Sequence, residues 1–424
     1  MSFIRFVTAL IGASLPLLAQ AQGLPSLTLA AAKARLLMVA PSLLADHERV
    51  VAREAKARYK TALPDPTLSF GPQNLDVTEP TLAHDAMSAF VVGISQKFPP
   101  FGKRELTRQG LDALAHAARF DLSDAKARLT AVLTQDFCAY YYGRQALHTL
   151  RHDHVLSREI AQSARLNYEN GRGTLADLLR ARSAASGVRD TIWQLKASLA
   201  TTRATLEQLL ALRHIHMARR PPRLPKPPPR AALLAQIEDI PAFKARAQQV
   251  RADRFFLRAA HRDLLPSYAI GASYGFRTAP QYPGGPRSPN QFSVEVSVSL
   301  PLFPGARADQ QIDRRAADLA AAHDQTNGMR LALREQVQAA YVAYDSAEAR
   351  LRLLKTRRLP EARAALNAAL TGLANGRISL PRTLRYARSV RTLELTAWQL
   401  KTNRADAIAT LDYLATHAET THAH

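Results

Sequence analysis

The sequence predicts a mainly α-helical chain that carries a few membrane-type β-strands and is built from two copies of one unit. Three observations predict this class. Long proline-free stretches place apolar residues three or four positions apart, which is the period of an amphipathic helix. Short segments alternate apolar with small polar residues, as strands with two different faces do. Several landmark motifs recur about 200 residues further along the chain, which indicates an internal repeat.

The N-terminus predicts export from the cytoplasm. Arg5 gives a positive start, residues 6–18 are mostly apolar, and Ala19 and Ala21 frame a small-residue cleavage site. This is the pattern of a secretory signal peptide, so we expect residues 1–21 to be removed. A buried N-terminal helix is the alternative. Cys138 is the only cysteine, so we expect neither an internal disulfide nor a lipid anchor at the cleavage point.

The chain is strongly basic, with 57 lysines and arginines against 35 aspartates and glutamates and a net charge of +22. Such a balance indicates nucleic acid, an anionic membrane surface or an acidic partner. Export argues against nucleic acid, and the charges are spread along helices without the interleaved aromatic residues of single-strand binders. We therefore expect no nucleic-acid partner.

The internal repeat rests on four landmarks in each half of the chain. The pairs are Pro41 with Pro241, Pro64 with Pro266, Pro99 with Pro301, and Asn170-Gly171-Arg172 with Asn375-Gly376-Arg377. A proline-rich run between the halves can form only an extended linker. The sequence therefore predicts a first repeat over 22–218, a linker over 219–230, a second repeat over 231–418 and a tail over 419–424.

Each repeat is expected to begin with one helix, over 28–62 or 231–264, and to continue with a two-stranded hairpin and two very long helices. No proline occurs from Phe101 to Arg220, although the chain has 25. A helix from Lys103 to about Tyr168 would be roughly 100 Å long, which no compact globular domain needs. Several shorter helices with breaks at Gly110 and Gly143 are the alternative.

The long helices are expected to turn at Gly171 and Gly376, because an Asn-Gly pair tolerates the left-handed backbone at a helix end. Thr174 and Ser379 are candidate N-caps of the returning helices. Pro360 falls inside the long helix of the second half and should kink it.

Strand-like alternation is strictest at residues 292–300, where Glu295 and Ser297 fall on the face opposite the apolar residues. Nine residues is about the length of a tilted transmembrane strand. We expect three further strands at 67–71, 89–98 and 268–276. A half-buried strand of a soluble sheet is the alternative reading of one such segment.

Four strands cannot close a membrane barrel, and open strand edges in lipid would leave backbone groups without partners. If these strands enter a membrane, several copies of the chain must share one barrel, and the long helices would leave it together as a hollow tube. The segment 98–102 is then the corner where a strand becomes a helix, with Lys103 and Arg104 near the lipid headgroups. The candidate corner residues are Pro99, Gly102, Pro301 and Gly305.

The chain resembles the TolC-like outer-membrane factor family over essentially all of its mature length. The resemblance rests on the corners GISQKFPPFGKR (93–104) and SVSLPLFPGAR (297–307) and on the turns NYENGRGTLADLL (167–179) and LANGRISLPRTL (373–384). It implies a homotrimer in the bacterial outer membrane, a twelve-stranded barrel continued by a periplasmic α-helical barrel, and no enzymatic activity or cofactor. The implied partners are a periplasmic adaptor protein and an inner-membrane efflux pump.

The corner FPPFGKR is similar to family members that serve heavy-metal efflux pumps of the resistance-nodulation-division type. The resemblance thus implies a passive exit duct for heavy-metal cations. Drug or organic efflux and type I protein secretion are the alternatives within the family.

The chain also departs from the family pattern. Many relatives carry an N-terminal lipid, and many close the periplasmic end with acidic residues. Asp177 has a matching position here, but Arg382 and Arg385 stand where relatives often have aspartates, and a basic ring would repel cations. The residues expected to form the gate or the adaptor-docking site are Asp177, Arg377, Arg382 and Arg385, with a merely solubilising surface as the alternative for the arginines.

The sequence signals for a metal site or a reactive side chain are weaker than those for a channel. A metal site is conceivable at His214 and His216, or in the tail, whose histidines are His417, His422 and His424. The run 152–154 reads as a solvated helix face, and Cys138 reads as a packing residue. A rival class, a secreted soluble coiled-coil scaffold that binds an anionic surface, explains the helices and charge but not the alternating strands.

Overall fold

The structure is a computed structural model that describes residues 27–77, 80–83, 85–282, 284–301 and 308–416. The predicted signal peptide, the corner residue Gly305 and the tail histidines lie outside these residues. The described chain is mostly helical and has one four-stranded antiparallel sheet. None of its helices combines the length and the apolar character needed to cross a membrane.

The two halves place their elements in the same order. The first contains α1 (Leu29–Val39), α2 (Pro41–Lys60), β1 (Thr67–Gln73), β2 (Ala89–Phe98), α3 (Lys103–Glu169) and α4 (Leu175–Leu209). The second contains α5 (Arg230–Ala235), α6 (Pro241–His261), β3 (Ser267–Phe276), β4 (Gln291–Ser299), α7 (Ala308–Leu353), α8 (Leu359–Ala374) and α9 (Leu380–Leu414).

The single first helix predicted for each half is wrong, because both halves divide it at a landmark proline. Pro41 begins α2 and Pro241 begins α6, each in the first turn of its helix. A proline there lacks only an N–H that would be unpaired anyway, whereas inside one continuous helix it would break the hydrogen-bond ladder. Ala40 and Ile240, the residues before the prolines, are accordingly extended.

Helix α3 confirms the long-helix prediction, with 67 residues and no break at Gly110 or Gly143. Both glycines are packing sites. A Cβ on Gly110 would come within 2.6 Å of the Phe256 ring, and one on Gly143 within 2.7 Å of a Leu199 methyl group. The missing side chains let α6 and α4 approach α3 closely.

The sheet has the order β1-β2-β3-β4, so the hairpins of the two halves join through β2 and β3. The pairing places large apolar side chains on one face, including Leu68, Phe70, Val92, Ile94, Ile270, Tyr274, Phe292, Val294, Val296 and Val298. The other face is small and polar, including Ser69, Gly93, Ser95, Gly271, Ser273, Ser293, Glu295 and Ser297. Val296 is 65% exposed, so no other described part of the chain covers the apolar face there.

The kink expected at Pro360 stays a prediction, but the helix is irregular just before this residue. A π-helical segment over Leu354–Arg358 separates α7 from α8, and Pro360 lies in the first turn of α8. The wider turn accommodates the carbonyl groups that the proline cannot pair.

The largest core cluster lies midway along the helices and joins α1, α3, α9 and the end of α4. Cys138 is fully buried in it, and burial raises the pKa of its thiol to about 12. The thiol therefore stays protonated at neutral pH, as expected of a packing residue.

Candidate functional site

The two helix turns share one backbone design. In the first, the N–H of Arg172 donates to the Asn167 carbonyl at 2.8 Å, and Gly171 has φ +70. In the second, the N–H of Arg377 donates to the Gly372 carbonyl at 2.7 Å, and Gly376 has φ +68. Each turn is a Schellman motif, in which a left-handed residue closes the helix end. The structure therefore places the two helix turns at Gly171 and Gly376, as predicted.

The helices that follow the turns begin differently. The Thr174 hydroxyl accepts a hydrogen bond from the Asp177 N–H at 3.1 Å and donates one to the Asp177 carboxylate at 2.9 Å. Ser379 occupies the equivalent position before α9 but makes no side-chain cap, and α9 has no acidic residue in its first turn. Both predicted N-caps are confirmed by position, but only the Thr174 side chain makes the capping hydrogen bond.

The structure brings the two turns to the same end of the molecule. Apolar side chains from all four helices pack in one cluster behind them, namely Ile160, Ala164, Ala181, Leu366, Leu380, Ala387 and Val390. The cluster joins α3 and α4 of the first half to α8 and α9 of the second. A movement of one turn must therefore disturb the packing of the other.

An ion pair next to this cluster joins the two halves of the chain. Arg391 of α9 donates to the carboxylate of Asp153 on α3 at 3.1 Å, and their side chains are only 19% and 10% exposed. Burial raises the pKa of Asp153, and the adjacent Arg391 opposes that rise. The reading of residues 152–154 as a solvated face is thus wrong for Asp153. No local sequence signal connects two residues so distant along the chain.

The predicted gate residues separate into two groups. Asp177 is engaged by Thr174 and lies 3.8 Å from Arg180. Arg377, Arg382 and Arg385 are exposed and form no ion pair within the described part of the chain. Of these three, Arg385 lines a groove of about 600 Å³ between α4 and α9, which sequence reasoning did not find.

The first strand-to-helix corner confirms the predicted role of Gly102, which has φ +79 and lies directly before α3. Pro99 and Pro301 follow the last residues of β2 and β4 by one and two positions. The headgroup position expected for Lys103 and Arg104 stays a prediction, and the structure shows that both residues also have internal partners. Lys103 forms an ion pair with Asp263, and the Arg104 guanidinium donates to the Thr61 carbonyl at 2.7 Å.

Of the candidate metal residues, only His214 and His216 lie in the described part of the chain. The Arg203 guanidinium lies 3.2 Å from the Nδ1 atom of His214, a cationic neighbour that opposes metal binding. Within the described residues, no group of three or more histidine, cysteine or acidic side chains could hold a metal ion.

The chain is similar to known proteins in both sequence and structure. The family model of the outer membrane efflux protein matches residues 34–212 and 234–416. The structure is similar to the outer-membrane channel OprN, with 19% identity, coverage of 91% of this chain and 89% of that chain, and a TM-score of 0.76. It is similar to CusC at 15% identity, with 92% of both chains covered and a TM-score of 0.77. For VceC from Vibrio cholerae the identity is 15%, the coverage 91% and 95%, and the TM-score 0.75. No curated protein sequence matches the chain.

Proposed function

Since the chain belongs to the outer membrane efflux protein family, whose members are channels and not enzymes, we propose that it is the passive exit duct of a tripartite efflux system. Three copies would share one barrel in the outer membrane and extend their helices into the periplasm. A periplasmic adaptor protein and an inner-membrane pump of the resistance-nodulation-division type would complete the system.

The observation that carries this proposal is the two-faced sheet. Its apolar face is uncovered, and in the described residues β1 and β4 each pair with one neighbour only. Unpaired strand edges are not tolerated in lipid, so the sheet needs partners on both sides. Three copies supply twelve strands, which is within the range of closed membrane barrels. The small polar face, with Glu295 and Ser297, would then line the lumen.

The turn end would act as the gate. The Schellman turns, the shared apolar cluster and the Arg391–Asp153 pair hold the four helix ends together. Docking of the adaptor and pump would separate them, with Asp177, Arg377, Arg382 and Arg385 as gate or docking residues. Such opening is a shift between two packings of the same helices.

A pair of neighbouring substitutions tests the barrel. Val296→Lys places a charge on the apolar face, where we expect a cost of about 2–4 kcal/mol in lipid, so trimer assembly in membranes should fail. Ser297→Lys adds the same charge on the polar face, and its trimer should survive. The readout is the heat-modifiable trimer extracted from membranes with detergent.

If the unaltered protein is instead a monomer in the soluble periplasm, the channel is wrong and the secreted coiled-coil scaffold takes its place. If both lysine variants assemble equally well, the apolar face does not contact lipid.

The cargo is a separate question. The FPPFGKR corner supports heavy-metal cations, whereas the fold is shared with OprN and VceC as closely as with CusC. Deletion of the gene followed by growth on metal salts and on organic toxicants tests this prediction. Sensitivity to the organic compounds alone would favour drug efflux, and loss of a secreted protein would favour type I secretion.

A further inference from the structure

The second turn carries a line of arginines that the fold leaves without acidic partners. Arg382, Arg385 and Arg388 follow each other at intervals of three residues on α9 and are all exposed. Residues three apart are neighbours on a helix surface, so the three cations repel one another. Arg382 also lies in the first turn of α9, where the helix dipole is positive. Among the described residues, none of the three arginines forms an ion pair.

Two of these arginines face a second helix across the groove of about 600 Å³. Arg385 and Arg388 line it from α9, and Arg180 lines it from α4. Its remaining polar lining comes from Ser157, Ser183 and Arg391. Among the described residues, no carboxylate belongs to this lining. Arg391 pairs with Asp153, and Arg180 lies 3.8 Å from Asp177. Arg385 and Arg388 are therefore the lining arginines for which the described residues provide no ion pair.

The groove therefore offers hydrogen-bond donors and positive charge. Guanidinium groups bind carboxylates and phosphates through two parallel N–H donors, and serine hydroxyls can add a further donor. A free divalent cation would be repelled by the same surface. The chemistry that fits is an oxyanion carried by a small solute.

We propose that this groove binds the oxyanionic group of exported cargo and that the turn end of the channel selects anions over cations. The inference rests on the proposed exit duct and assigns a cargo class to it. That class replaces the heavy-metal cations that the FPPFGKR corner supports. In a trimer the same arginines would occur three times around the entrance. A ring of one charge raises the local concentration of counter-ions, by tenfold or more in favourable cases.

The test uses the full-length protein in planar bilayers under a potassium chloride gradient at neutral pH. We expect a reversal potential that shows chloride to be more permeant than potassium. The double variant Arg385→Glu and Arg388→Glu should lower the chloride-to-potassium permeability ratio, on the order of tenfold. Inorganic pyrophosphate added on the turn side should block the current of the unaltered protein and not that of the variant.

Arg220→Glu is the matched control, because Arg220 is exposed in the linker, at the far end of α4 from the turn. It should leave selectivity and block unchanged. The neutral variants Arg385→Gln and Arg388→Gln cover the case in which charge reversal prevents assembly.

The failures are distinguishable. If neither the unaltered protein nor the Arg391→Met variant conducts, the exit duct itself is wrong. A channel that prefers potassium, or one whose selectivity ignores the arginine variants, overturns the inference alone. Lost adaptor binding with unchanged selectivity also overturns it, since the groove would then be a docking surface for an acidic protein.

Discussion

The first and second helix turns have the same backbone and different electrostatics, since the first carries charges of both signs and the second carries arginines. Both end a helix with a left-handed glycine, and the two glycine φ angles differ by only 2°, +70 against +68. The first turn then caps its returning helix with Thr174 and Asp177, whereas the second begins α9 with Pro381 and exposed arginines. The backbone of a turn is set by two or three residues, so duplication preserves it while the surrounding side chains diverge.

The strongest way to test the contact between the halves is to remove Arg391. Arg391→Met leaves the Asp153 carboxylate buried without a partner, which should destabilise the closed turn end by about 3 kcal/mol. We expect a large rise in single-channel conductance. Adding Asp153→Asn should restore most of the closure.

Arg363→Met is the control for this pair, because Arg363 and Glu394 form a more exposed contact within the second half. Exposed pairs contribute about 1 kcal/mol or less. Equal effects of the two methionine variants would show that the contact between the halves does not hold the gate.

Acidification should act on the same pair more weakly. Burial raises the pKa of Asp153 above its ordinary value, so protonation begins at a higher pH than for an exposed aspartate. The folded chain then binds this proton more tightly than the unfolded chain, and the pair is lost as pH falls without a loss of folding stability. Protons bind more tightly to the closed end, in which Asp153 is buried, than to an open end that exposes it. Conductance should therefore fall on acidification, and Asp153→Asn should abolish that response.

Gly171→Ala and Gly376→Ala test the shared backbone of the turns. A Cβ at either position meets no atom within 4 Å, so the cost arises only from the left-handed backbone and is about 1–2 kcal/mol. Both variants should lower the thermal midpoint by similar amounts. Asparagine, which tolerates this conformation, should cost less at both sites, and a marked inequality between the turns would break the comparison.

The smallest predicted effect is the difference in stability between substitutions at the two N-cap residues. Thr174→Ala removes the hydrogen bond to the Asp177 N–H and should cost about 1 kcal/mol. Ser379→Ala should cost almost nothing, because its hydroxyl makes no cap. Thr174→Ser retains the hydroxyl and is the control. A measurable loss at Ser379 would show that the second turn is capped after all.

The sequence could predict what local chemistry determines. The Asn-Gly turns, the strand alternation, Gly102 and the proline distortion all follow from residues within a few positions of each other. The breaks at Pro41 and Pro241 were open to the same reasoning, since proline favours the first turn of a helix. Other contacts depend on which helices become neighbours in the fold, and no local sequence pattern predicts those neighbours. They are the Arg391–Asp153 pair, the packing of Phe256 against Gly110, and the partners of Lys103 and Arg104.

The base of α3 is anchored beside the sheet, whereas its far end is held by the contacts between the two turns. Lys103 is tied to Asp263 and Arg104 to the end of α2, so the helix behaves as a lever anchored beside the sheet. Over a length of roughly 100 Å, a tilt of about 5° at the base displaces the tip by about 9 Å. A duct built this way can widen its inlet when its rigid helices tilt slightly, without any of them unfolding or changing its secondary structure.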